Sequence, residues 1–101
     1  MPLTLDALTI LDAIERRGSF ARAAEELARA PSSLTYAVQQ MEADLDVLLF
    51  DRSGHRARFT PAGRVLLEEG RGLLAVADAL AHKTRQVAGG WETGFTLAVE
   101  G

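Results

Sequence analysis

The chain has 101 residues, 48% of them hydrophobic and 25% charged, with no cysteine and a net charge of −3 at pH 7. That length suits one small domain with an appendage, and no apolar run approaches the ~20 residues a membrane-spanning helix needs. Disulfides and thiolate zinc sites are excluded, His55 and His82 lack a metal-ligand spacing, and MPLTLDALTI lacks the basic lead of a secretory signal. A cytoplasmic protein without a cofactor is the expectation.

In chain order, Leu3 to Arg17 places Leu5, Leu8, Leu11 and Ile14 on a stripe that reads as an amphipathic helix stopped by Gly18. Ser19 is the expected N-cap of a second helix, Phe20 to about Ala28, with Phe20, Ala23, Ala24 and Leu27 facing the core. Arg29 and Ala30 make a short turn, and Pro31 suits the first turn of a third helix running to about Leu45. Two short helices joined by so short a turn form a helix-turn-helix. Leu48 to Phe50 and Ala57 to Phe59 read as short strands around Gly54, a hairpin with a basic tip. Thr60-Pro61 then starts a helix that meets no further proline and is expected to break at Gly89-Gly90. Its first turns, near Val65 and Leu66, should pack on the preceding helices. Leu66, Leu73, Leu80 and Val87 recur every seven residues, with the small residues Gly70, Ala77 and Thr84 four places after the first three. Such a heptad seam, with too little chain left to cover it beyond Leu73, predicts pairing with a second subunit. The last apolar segment, Phe95 to Val99, reads as the opening strand of a further domain.

The third helix carries the chemical signal. Leu34, Val38, Met41 and Leu45 share one side, while Pro31, Ser32, Ser33, Thr35, Tyr36, Gln39 and Gln40 lie off it without a single charge. A helix entering the major groove of DNA reads base edges with short hydrogen-bonding side chains, and acidic groups there would be repelled by phosphate. Ser19, Arg22 and Arg29 could hold the flanking backbone. The basic block Arg52, His55, Arg56 and Arg58 could reach the phosphates or a neighbouring minor groove despite the negative total charge. The serines stand at helix starts away from a base, and Glu42, Asp44 and Asp46 read as a solvated acidic patch, so no enzyme is expected. The alternative reading is a helical protein-interaction module without base-specific readout.

The run GSFARAAEELARAPSSLTYAVQQMEADLDVLLFDR followed by FTPAG resembles the N-terminal domain of LysR-type transcriptional regulators. The resemblance covers roughly residues 3 to 88. It implies a mainly α, winged helix-turn-helix fold (three helices and a two-stranded wing) followed by a long linker helix. The implied divisions are 1–60 for the DNA-binding domain, 61–88 for the dimerisation helix, and 89–101 for a hinge and the start of an effector-binding domain. Implied partners are double-stranded operator DNA and a second copy through the linker helix, with a tetramer as an option for the full-length protein. Any effector ligand belongs to the domain that follows. Pro31 stands where the family often has Gln, Tyr36 where it has Arg or another polar residue, Thr35 where it has Ser, and Asp46 where Gly is common. Base contacts are therefore expected to shift toward Ser32, Ser33 and Tyr36. Asp46 either avoids a left-handed backbone or uses the tolerance of Asp for one.

Overall fold

The hydroxyl of Thr4 starts the first helix, α1 (Leu5–Arg17), by accepting the Ala7 N–H at 3.0 Å. The computed structural model describes residues 3–51, 53 and 57–93, the last four of these by backbone only. Asp6 in the first turn of α1 and Arg16 and Arg17 in its last complement the helix dipole. Gly18 ends it at φ 87°, returning its N–H to the Ile14 carbonyl at 2.8 Å. Helix α2 (Phe20–Leu27) follows, with the Ser19 hydroxyl accepting from the Arg22 N–H at 3.1 Å. Ala28 closes it in the left-handed region. Helix α3 (Pro31–Leu45) has proline at its first position and ends on Asp46, also left-handed at φ 56°. The tolerance of Asp for that conformation is therefore the alternative realised.

Strands β1 (Phe50–Asp51) and β2 (Arg58–Phe59) pair antiparallel, Phe50 opposite Phe59 and Asp51 opposite Arg58. They are shorter than the expected pieces, because the Leu48 and Leu49 carbonyls are taken by Thr60, through its hydroxyl at 2.6 Å and its N–H at 3.0 Å. The same Thr60 hydroxyl caps helix α4 (Pro61–Thr93) by accepting from the Gly63 N–H at 3.0 Å. Gly63 has no alternative here, since a Cβ would lie 2.1 Å from the Leu49 carbonyl oxygen. Arg52, Gly54, His55 and Arg56 at the hairpin tip, and the expected strand Phe95 to Val99, lie outside the described residues.

The core joins Ile10, Leu11 and Ile14 of α1 to Ala23 and Ala24 of α2, Leu34, Val38 and Met41 of α3, Leu49, Phe50, and Leu67 of α4. Each large side chain so buried contributes roughly 1.5–3 kcal/mol by leaving water. Phe50 is clasped between Phe20 and Phe59, at ring-centroid distances of 5.2 and 4.5 Å. Three expectations need correction. Leu5 is 51% exposed, whereas Ile10 takes a core place. Steps of three residues turn back about 60° each, so Leu5 and Ile14 end on opposite sides of the helix. Val65 is also exposed, and Leu67 fills the core in its stead. Finally, α4 passes through Gly89 and Gly90 to Thr93. Glycine in a helix costs about 1 kcal/mol but does not forbid it as proline does.

Candidate nucleic-acid interface

Helix α3 is anchored by Leu34, Val38 and Met41 and turns Ser32, Ser33, Tyr36, Gln39 and Gln40 outward. Tyr36, at 66% exposure, is the largest side chain on that face. Thr35 is half-buried, and its hydroxyl donates to the Pro31 carbonyl at 3.2 Å, leaving its oxygen free to accept. The start of α3 differs from the starts of α1, α2 and α4. Those carry Thr4, Ser19 and Thr60 as side-chain caps, whereas Ala30 offers none. Pro31 has no N–H and the Ser33 N–H donates to the Ala30 carbonyl at 3.0 Å, so the Ser32 N–H is the first-turn donor left at a helix end with partial positive charge and no acid in its first turn.

The basic residues divide into two groups. Arg29, in the turn entering α3, is engaged by Asp6 through both ends of its guanidinium, Nη1 at 2.9 Å from Oδ2 and Nη2 against Oδ1. The hydrogen bond from Arg29 holds the Asp6 carboxyl below the usual aspartate range. Arg22, on the exposed side of α2, has no ion-pair partner among the described residues and is the freer cation of the two. Ser19 is half-buried and occupied as a cap, so its expected role on DNA would have to share that hydroxyl. Arg58 is exposed on β2 opposite Asp51, whose carboxyl is kept low by the Ser53 hydroxyl and amide and, more weakly, by the charge of Arg58. Arg64 lies over the Phe59 ring, 5.3 Å from its centroid.

Glu42 corrects the idea of a solvated acidic patch. It is buried, and its Oε2 accepts the Leu49 N–H at 2.8 Å, tying α3 to the segment that leads into the wing. The signal was present in the spacing, since position 42 lies eight residues after Leu34 on the same side as Val38 and Met41. Its charge alone points the other way, toward solvent.

On α4 the expected seam divides. Leu66 packs against the core, and a Cβ on Gly70 would meet Leu8 Cδ2 at 2.8 Å, so both face the body of the domain. Leu73, Leu80 and Val87 are exposed, Ala77 is intermediate, and exposed Thr84 donates to the Leu80 carbonyl at 2.8 Å. The outward stripe reads Val65, Glu69, Gly72, Val76, Leu80, Lys83 and Val87, with Leu73 beside it. Its spacings of four and three are those of a helix seam, and the sequence missed Val76 because it looked four residues beyond each leucine rather than three.

Three helices, a two-stranded wing and a second helix of the helix-turn-helix whose exposed residues are uncharged up to Gln40 define a winged helix-turn-helix domain. Residues 5–64 match the model of the bacterial regulatory helix-turn-helix proteins, lysR family. The chain belongs to that family. It is 58% identical over 98 residues to the probable HTH-type transcriptional regulator YhaJ of Escherichia coli K12, matching 97% of this chain and 33% of that protein. This chain thus spans about a third of the length of such relatives. Among solved structures, it resembles the BenM DNA-binding domain in complex with catB site 1 DNA, with a TM-score of 0.83 at 27% identity over 87% of this chain and 95% of that one. The CbnR DNA-binding domain in its DNA complex gives 0.78 at 31% identity, over 85% and 99%.

Proposed function

We propose that this chain is the sequence-specific, double-stranded DNA-binding part of a cytoplasmic bacterial transcription regulator that works as a homodimer. The observation that carries the reading is α3, whose exposed face carries no charge from Pro31 to Gln40 and whose N-terminus has no side-chain cap. Entering the major groove N-terminus first, α3 offers the Ser32 N–H to a phosphate and Tyr36, Gln39 and Gln40 to base edges. Pro31, Ser32, Ser33 and Thr35 line the approach. Arg22 grips the flanking backbone, and the wing, with Arg58, lies along the neighbouring groove. Effector binding and any assembly beyond the dimer belong to the rest of the regulator.

The second copy binds through α4. The outward stripe is symmetric about Val76: Gly72 and Leu80 lie four residues to either side, Glu69 and Lys83 seven, Val65 and Val87 eleven. Antiparallel pairing of two such helices therefore sets Val76 on Val76, Leu80 over Gly72, and Glu69 beside Lys83 of the second copy.

Anisotropy titrations across salt concentrations test the readout, using duplexes selected from a random pool and scrambled versions of them. Tyr36→Ala should weaken the selected duplex roughly tenfold and leave the scrambled one unchanged, while Arg22→Ala should weaken both and lower the salt slope by about one. Equal losses on both duplexes for Tyr36→Ala would remove it from base readout. No salt-dependent binding by the unmodified chain would favour the interaction-module reading.

A further inference from the structure

The contact between α1 and α4 is apolar at its centre, with Leu67 in the core and Gly70 against Leu8. Beside it runs a ladder of ion pairs. Arg71 donates through Nε to Asp12 Oδ1 at 2.8 Å and approaches Glu15 Oε1 at 3.8 Å, and Arg64 reaches Glu15 Oε2 at 3.4 Å. On its other side, Asp12 accepts from Arg16 Nε at 2.8 Å, and Arg16 Nη1 donates to Glu26 Oε1 at 3.1 Å. The path Arg71–Asp12–Arg16–Glu26 therefore crosses from α4 over α1 to α2, the helix that leads into α3.

Partly exposed ion pairs add little to stability. Charge-assisted hydrogen bonds that link three helices do, however, restrict the angle between the elements they join. That angle matters because α4 packs on the body only as far as Leu74. Rotating the body by 10° about the contact moves a point ~20 Å away by ~3.5 Å, about one base-pair step of ~3.4 Å along DNA. We infer that Arg71, acting through Asp12 and Glu15, is a positioning residue for operator geometry, fixing the spacing at which the two α3 helices of a dimer engage paired half-sites. The inference rests on the dimeric DNA-binding reading above.

Selecting bound duplexes from a random pool, with the 101-residue chain and with its Arg71→Gln, Asp12→Asn and Arg71→Lys variants, tests it. The measured quantity is the distribution of distances between paired half-sites. The unmodified chain should select one spacing. Arg71→Gln should keep the half-site sequence and remain dimeric in sedimentation, but accept several spacings and lose roughly three- to tenfold affinity at the original one. Asp12→Asn should broaden the distribution in the same way, and Arg71→Lys should narrow it again. Circular dichroism checks that each variant is folded. A single sharp spacing retained by both Arg71→Gln and Asp12→Asn overturns the inference, as does dissociation of Arg71→Gln into monomers. Isolated half-sites selected by the unmodified chain would instead overturn the dimeric reading, and the role of Arg71 with it.

Discussion

Ala28 and Asp46 are the non-glycine residues with positive φ among those described, and each closes one helix of the helix-turn-helix. Alanine has no side-chain group to offset the left-handed conformation, which disfavours a Cβ by about 1–2 kcal/mol. Ala28→Gly should relieve it, and after the greater freedom glycine gives the unfolded chain a net gain of about 0.5–1 kcal/mol should remain. Thermal unfolding should then shift upward by roughly 3–6 °C. An unchanged or lowered midpoint would show that Ala28 is not strained. Legibility varied at this scale. Gly18, Ser19 and Thr60 were readable because caps and left-handed stops depend on a few neighbouring residues. The choice at Asp46 stayed open because either backbone is available to Asp, and Glu42 escaped because its partner, the Leu49 amide, is fixed only once the chain has turned back.

Among the elements, α3 and α4 each divide into a side for the domain and a side for something else. For α3 the division was visible in sequence, since a strip of serine, threonine, tyrosine and glutamine contrasts with Leu34, Val38 and Met41. For α4 both sides are apolar, so periodicity announced a seam without saying which rows the body occupies. Only the close approach of Gly70 to Leu8 assigns that row inward and leaves Val76 and Leu80 outward. Leu80→Glu should convert a dimer into monomers in sedimentation equilibrium while the helical circular dichroism persists, because the carboxylate would face Gly72 of the second copy. Glu69→Lys combined with Lys83→Glu should dimerise like the unmodified chain, whereas Glu69→Lys alone should weaken self-association several-fold by setting two lysines side by side. Dimers persisting in Leu80→Glu would place the interface elsewhere.

Across the whole molecule, which measures 61 × 26 × 19 Å, several arginines are held by acidic side chains of the domain itself. Asp6 holds Arg29, Asp12 holds Arg16 and Arg71, Glu15 holds Arg64, and Glu26 holds Arg16. Apart from Asp12 and Arg16, four places apart on α1, these partners come from different elements, up to 59 residues apart, where no local pattern pairs them. Burial works against ionisation of Asp12, but hydrogen bonds from Arg16 and Arg71 outweigh it and hold its pKa below the ordinary 3.8; Asp6 is lowered chiefly by its hydrogen bond from Arg29. A carboxyl whose pKa is lower folded than unfolded stabilises the fold fully above the unfolded value and ceases to do so as pH falls through the folded one. Denaturant midpoints should therefore stay level from neutral pH to about 5 and decline below 4 as these carboxyls take up protons. Asp12→Asn should flatten that decline, and an equally steep one in the variant would assign the acid sensitivity to other carboxyls. No helix among the described residues is long and apolar enough to cross a membrane.

Ser32, Tyr36, Gln39 and Gln40 stand clear of the core that Leu34, Val38 and Met41 secure. The domain can therefore exchange its vocabulary without disturbing its grammar. On the proposed reading, substitutions at those four positions should change what is read, while the frame that presents them keeps its stability. A regulator arranged in this way can drift from one operator to another through intermediates that all fold, which makes α3 the natural place to retarget it by design.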